Sequence, residues 1–230
     1  MTDATPLQRR LAALGEPIAV DGVFGPATMA AALRRLPEAA TRFDAEPFYA
    51  AIRKSLFGGT ISPSQFEGIE AKLKAFAGQP LAYVAYMLAT SYWETARTMQ
   101  PIAEFGKGKG RKYGVSGPHG GQVAYGRGDV QLTWPDNYAR ADKELGLNGK
   151  LIGNYDNALD PDISAAIMLR GMTEGWFTGK KLSDYLPAAG PATEGGFTPA
   201  RRIINGTDKQ HEIAGIALKW QTALQAGGWA

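Results

Sequence analysis

The stretch LAYVAYMLATSYWE, residues 81–94, follows Pro80 and is apolar on almost every side as far as Tyr92. Proline starts a helix well, because its missing N–H would be unpaired in the first turn anyway. A helix that is apolar all round belongs in the core of a globular protein. Its unbroken apolar run, Leu81 to Ala89, is too short to cross a bilayer. The stretch therefore predicts a central buried helix around which other helices pack.

Upstream, Ser62-Pro63-Ser64-Gln65 has the form of a capping box, and Phe66, Ile69, Leu73 and Phe76 then recur at helical spacing. Nearer the start, Thr5-Pro6-Leu7-Gln8 has the same form, with Leu7, Leu11 and Leu14 on one face and Gly15 as a stop. After the turn 20–25, Pro26 opens a second short helix with Ala30, Leu33 and Leu36 inward, and Pro37 ends it. This predicts a small helical unit over 1–38 and a polar, alanine-rich linker over 39–46, with the main domain over 47–230. Downstream, residues 105–128 are rich in glycine and predict a loop or short hairpin. Asp160-Pro161-Asp162 caps a helix running to about Trp176, and a last helix places Ile213, Ile216, Trp220 and Leu224 together. The pattern is mainly α, with little β structure, all of it near the glycine-rich segment.

Composition narrows the chemistry. The 230 residues are 44% hydrophobic and 20% charged, ordinary values for a globular protein. With no cysteine there is no disulfide, thiol nucleophile or cysteine metal site. His119 and His211 are the only histidines and lie far apart, which argues against a zinc hydrolase; no metal or other cofactor is expected. A formal charge of +3 without a basic stripe interleaved with aromatics makes nucleic acid a poor partner. No basic and apolar leader opens the chain, so a soluble product made in the cytoplasm, without membrane insertion, is expected; a monomer is the default expectation.

Chemistry is concentrated in a few places. At about 100° per residue, Glu94 shares a face with Met87, Thr90 and Ser91 at the end of the central helix. A carboxyl there is partly desolvated, which favours the protonated form that a glycosidase needs in its general acid. The plainer alternative is a helix-end glutamate paired with Arg97. Glu104, just past Pro101, suits the second carboxylate of an inverting glycosidase, or else a solvated acid neutralised by Lys107 or Lys109. The segment YGRGDVQLTW, residues 125–134, is expected to be extended, with Gln131 and Thr133 on one side and Leu132 on the other. Tyr125, Trp134 and Tyr138 can stack on sugars, or can simply be core aromatics.

Three stretches carry a resemblance: Trp93-Glu94-Thr95-Ala96; Tyr125 to Trp134 with Asn137-Tyr138; and Arg202-Ile203-Ile204-Asn205-Gly206. In order and spacing they resemble the signature stretches of glycoside hydrolase family 19, which holds plant-type chitinases and many phage and prophage endolysins. The resemblance covers roughly residues 45–225. It implies a lysozyme-like helical catalytic domain and single displacement with inversion. By the same resemblance Glu94 is the general acid, Glu104 the second carboxylate, and Thr133 helps hold the attacking water. Tyr125, Gln131, Trp134, Tyr138 and Asn205 would line the sugar site, with Arg127 and Arg202 structural or bordering it. Trp93 stands where a histidine is common, and Asp129 where an apolar or small residue is common.

Residues 5–37 resemble a peptidoglycan-binding module through Leu7-Gln8, Leu11, Gly15 and the segment Val20 to Thr28. This shifts the expected substrate from chitin to the glycan strands of peptidoglycan, cut by an endolysin-type enzyme at the cell wall. Chitinase, lytic transglycosylase and a catalytically idle wall-binding protein are the competing readings.

Overall fold

The computed structural model describes residues 3–13, 15–34 and 43–229. Two short helices come first, α1 (Thr5–Ala13) and α2 (Pro26–Arg34). Three longer ones follow, α3 (Ala45–Ser55), α4 (Pro63–Ala75) and α5 (Leu81–Glu94). A two-stranded antiparallel ribbon, β1 (Ile102–Ala103) with β2 (Arg127–Gly128), interrupts the helices, pairing Ile102 with Gly128 and Ala103 with Arg127. The chain continues through α6 (Pro135–Glu144), the short α7 (Lys150–Gly153), α8 (Pro161–Glu174), α9 (Glu194–Ala200) and α10 (Gln210–Ala226). The fold is mainly helical, as the sequence predicts.

Helix α5 is the hub. Every residue from Leu81 to Tyr92 is buried, and α10 packs along it while also touching α3 and α9. Ile213, Trp220 and Leu224 of α10 are fully buried, whereas Ile216 is half-buried beside Trp93. A ring cluster joins the layers: Trp220 lies 6.0 Å from Phe48, 6.1 Å from Phe57 and 6.4 Å from Tyr92. Burying such large rings supplies much of the core's transfer free energy, about 1.5–3 kcal/mol for each fully buried large apolar side chain.

Local signals act where expected at two helix starts. Ser62 Oγ accepts from the Gln65 N–H at 3.2 Å while Gln65 Oε1 accepts from the Ser62 N–H at 2.9 Å, a complete capping box. Asp160 Oδ1 accepts from the N–H groups of Asp162 and Ile163 ahead of α8. The first helix departs from expectation. Thr5 lies inside the helix and its N–H donates to Asp3 Oδ1 at 2.9 Å, and Gln8 is taken for tertiary structure. Its amide is almost wholly buried, donating to Asp21, Val23 and Thr28 and accepting from the N–H groups of Asp21 and Gly22. A buried amide with all its groups partnered fixes the turn between α1 and α2.

This helix pair rests on the main body. Phe24 meets Phe66 at 5.6 Å between ring centroids, and Met29 Sδ lies 3.1 Å from Arg53 Nη2. Leu14, Leu36, Pro37 and residues 39–42 of the expected linker lie outside the described residues. Residues 43–46 are not linker. Phe43 packs on Phe48 and Trp229, the Asp44 N–H donates to the Gly227 carbonyl at 2.7 Å, and Asp44 caps α3. Among the described residues no helix is long and apolar enough to cross a membrane.

Candidate active site

Glu94 is the last residue of α5, where the buried helix reaches the surface, and its side chain keeps 17% exposure. Its partner is Arg201, not Arg97: Arg201 Nη1 donates to Glu94 Oε1 at 2.6 Å. Arg201 is itself buried and also donates from Nε to the Asp208 carbonyl at 3.1 Å. Stacking of Phe197 on Tyr86 of α5, with centroids 5.9 Å apart and planes 10° apart, brings it there. Arg201 lies four residues after Phe197, one helical turn on, so the same face carries both toward α5. Adjacent Arg202 is exposed. Sequence reading singled out Arg202 and missed Arg201, although the phase of Phe197 points to it.

Glu104 continues the ribbon beyond β1, its N–H donating to the Gly126 carbonyl at 2.8 Å. Its carboxylate is held from two sides. Oε2 accepts from the Gly126 N–H at 3.1 Å, and Oε1 accepts from the Tyr113 hydroxyl at 3.1 Å. Among the described residues it makes no ion pair with Lys107 or Lys109. Burial and the Glu104 carboxylate together push the Tyr113 hydroxyl above the usual tyrosine range, so it remains a donor. Tyr113 was not singled out from sequence; the contact spans nine residues of irregular loop and has no periodic signal.

Segment 125–134 is not the extended piece expected. Arg127 and Leu132 exchange backbone hydrogen bonds at 3.1 and 2.8 Å, closing a tight turn over Gly128 to Gln131. Gly128 has φ +82°, and a Cβ there would lie 2.8 Å from Ser164 Oγ and 3.0 Å from the Ala158 carbonyl, so only glycine fits. Gln131 takes a left-handed backbone (φ +52°) and donates from Nε2 to the carbonyls of Ile102 and Gly128 at 3.1 Å each. It thereby pins the turn to β1, two residues before Glu104. Thr133 is half-buried, and its hydroxyl has no hydrogen-bond partner among the described residues.

The aromatics divide. Trp134, 45% exposed, stands edge-on to Tyr113 at 5.6 Å and offers an indole face beside Glu104. Tyr138 is fully buried, stacked on Tyr155 at 4.1 Å, with its hydroxyl donating to the Tyr125 carbonyl at 2.7 Å. The expectation that Tyr138 stacks on sugar is corrected: its ring has no free face. Arg127 is likewise buried, with its guanidinium 3.5 Å above the Tyr125 ring and Nε 2.8 Å from Asp156 Oδ1, so it braces the turn rather than meeting substrate. It covers one face of Tyr125, which keeps only 9% exposure. Asn205 is exposed, and its N–H donates to the Arg201 carbonyl at 2.9 Å, which hangs it beside the Glu94–Arg201 pair.

One tie binds the acid helix α5 to the turn, and a second binds α8 to it. Ser91 Oγ, one helical turn before Glu94, donates to Asp129 Oδ1 at 2.7 Å, and Ser164 Oγ donates to Asp129 Oδ2 at 2.6 Å. Asp129, which looked out of place from sequence, is therefore an internal anchor. Glu94 and Glu104 lie on elements locked together below them. Among the described residues no cluster of three or more His, Asp or Glu is placed to hold a metal ion.

No protein-family model matches the sequence, and no curated protein matches it. Solved structures do. Chitinase C from Streptomyces griseus HUT6037 is 23% identical, with a TM-score of 0.53, over 79% of this chain and 75% of that one. A mutant of chitinase C is 22% identical, with a TM-score of 0.51, over 80% of this chain and 91% of the other. A bacterial family 19 chitinase is 22% identical over 80% of this chain and 94% of its own, with a TM-score of 0.46. The class defined by the fold is the lysozyme-like helical one to which these chitinase C structures belong.

Proposed function

We propose that the chain is an endolysin-type glycoside hydrolase that cuts β-1,4 bonds in the glycan strands of peptidoglycan. The observation that carries this reading is the pair of differently held carboxylates, Glu94 on a buried helix end with Arg201 and Glu104 on a ribbon edge with Gly126 and Tyr113. Glu94 is the proton donor to the leaving oxygen. Glu104, with the Thr133 hydroxyl, which has no hydrogen-bond partner among the described residues, orients a water on the opposite face of the sugar. A single displacement with inversion follows, and it calls for carboxyls roughly 6.5–9.5 Å apart. Trp134 supplies a stacking face, while Asn205 and Gln131 border the sugar site. Soluble protein acting at the wall completes the reading, and the Gln8-centred N-terminal unit supports wall over chitin.

The names of the structural neighbours favour a second substrate, chitin. Digestion of purified peptidoglycan and of a chitin hexasaccharide, with products identified by mass spectrometry, tests both readings. Muropeptide fragments with new reducing ends are expected. Anhydro products would replace hydrolase by transglycosylase, and cleavage of the hexasaccharide alone would replace peptidoglycan by chitin.

A further inference from the structure

Between Glu104 and Tyr113 the chain carries Lys107, Lys109, Arg111 and Lys112 and no acid, more positive charge than the formal +3 of all 230 residues. All four cations are exposed, and among the described residues none takes part in an ion pair. An exposed charge run on a slack loop is usually only a solvated surface. This loop is built more firmly. Successive turns close through Lys107 N–H to the Glu104 carbonyl (3.0 Å), Lys109 to Gly106 (2.8 Å), Arg111 to Gly108 (2.9 Å) and Gly114 to Arg111 (2.9 Å). Gly114 lies so close to Gly108 that a Cβ on it would sit 1.7 Å from the Gly108 carbonyl oxygen. Tyr113 then returns the chain to the site through Glu104 and Trp134. Arg111 is near enough to oppose the upward push on the Tyr113 hydroxyl, so its charge reaches the site.

Resting on the hydrolase reading above, the geometry points to a subsite for carboxylates attached to the glycan, formed by Lys107, Lys109, Arg111 and Lys112 beside Glu104. A chain of N-acetylglucosamine alone is neutral, and unpaired cations contribute little to holding it. A peptidoglycan strand carries carboxylates on its peptide stems and at uncapped lactyl groups. Cations carried on a backbone tied in place attract such a strand within a Debye length, about 10 Å at 0.1 M salt, and bias register on it. The loop thus sets preference for charged over neutral glycan without touching the reacting bond.

The test compares wall binding of the full chain carrying Glu94→Gln, which leaves the wall uncut, with that of the same chain further changed by Lys107→Gln, Lys109→Gln, Arg111→Gln and Lys112→Gln. Sedimentation is measured with native insoluble peptidoglycan, with peptidoglycan whose carboxylates have been converted into methylamides, and with chitin. Neutralising the loop is expected to weaken binding to native wall about tenfold, the scale of several weak exposed charge contacts acting together. Methylamidation, or salt raised to about 0.5 M, should weaken the parent similarly and leave the neutralised chain unaffected. A charge-keeping variant, Lys107→Arg with Lys109→Arg and Lys112→Arg, should bind as the parent does. Equal binding of native wall by parent and neutralised chain overturns the subsite, as does an equal loss toward all three polymers. Loop-dependent binding in a protein whose unaltered form releases no reducing ends would instead overturn the hydrolase reading and keep the carboxylate subsite.

Discussion

Lys72 Nζ lies 2.7 Å from Asp129 Oδ1, and neither side chain has any exposed surface. Nζ also donates to the carbonyls of Gly68 and Met99, at 3.2 and 2.9 Å, and the Asp129 oxygens accept from Ser91 and Ser164. One ion pair thereby joins α4, α5, the segment after α5, the tight turn and α8. Desolvating two charges is costly, and the geometry compensates only because their remaining hydrogen-bonding capacity is used. Asp129 has no free oxygen to offer a reaction.

Removing one partner leaves a buried charge alone. Lys72→Met or Asp129→Asn should each destabilise the fold by about 3–5 kcal/mol, and the double change Lys72→Met with Asp129→Asn should cost clearly less than the two singles added. Urea unfolding of the four proteins checks this. Additive losses would show that the two charges are not coupled.

Glu94→Gln should lower glycan cleavage by at least about a hundredfold, the scale of lost general acid catalysis. Folding should be intact, since the amide can still accept from Arg201. Arg201→Met should lower turnover as well, by freeing a carboxylate that is now held in place. Reducing-end release and thermal unfolding measured side by side distinguish the two changes.

The stereochemical outcome tests the second carboxylate. Proton NMR of the first product should find inverted anomeric configuration. Glu104→Gln should be nearly as damaging as Glu94→Gln, and Thr133→Ala should reduce kcat more than it raises KM, because water is positioned mainly in the transition state. Retained configuration would reassign the second role to the substrate's own acetamido group.

Glu70 predicts a pH dependence of stability. Burial lifts its carboxyl from 4.5 to about 7, opposed by a hydrogen bond from the Tyr49 hydroxyl. An acid whose folded pKa is raised binds more protons folded than unfolded between those values. Its contribution is therefore complete below about pH 4.5 and is lost as pH rises through about 7. Glu70→Gln should flatten the stability profile across that window, by about 3 kcal/mol in total. Unfolding free energies at several pH values, compared with the parent, measure it.

Deleting residues 1–40 uncovers Phe66, which Phe24 now meets. A loss of about 1–2 kcal/mol is expected from that exposure, with cleavage of small soluble glycans retained and binding to insoluble wall weakened. Unlike neutralising the 107–112 cations, this loss should be the same for methylamidated wall. A truncated chain that cannot fold would make the N-terminal helices part of the main core.

The sequence by itself determined the elements that depend on near neighbours. An all-apolar run is stable only inside, so residues 81–92 had to form the buried hub. The Ser62–Gln65 box and the Asp160 cap each satisfy the first N–H groups of a helix within three residues. It likewise offered Glu94 and Trp134 as candidates, because a carboxyl at the mouth of a core helix and a glycine-flanked polar segment are visible locally, and Glu104 and Thr133 through the family resemblance. Only the tertiary structure decided the partners. Arg201 rather than Arg97 holds Glu94, from 107 residues away; Tyr113 rather than a lysine holds Glu104; Lys72 finds Asp129; and Tyr138 turns inward. The physical reason is the same in each case. A buried polar group is stable only where its partner comes to rest, and ring packing among distant helices, such as Phe197 on Tyr86, chooses that place.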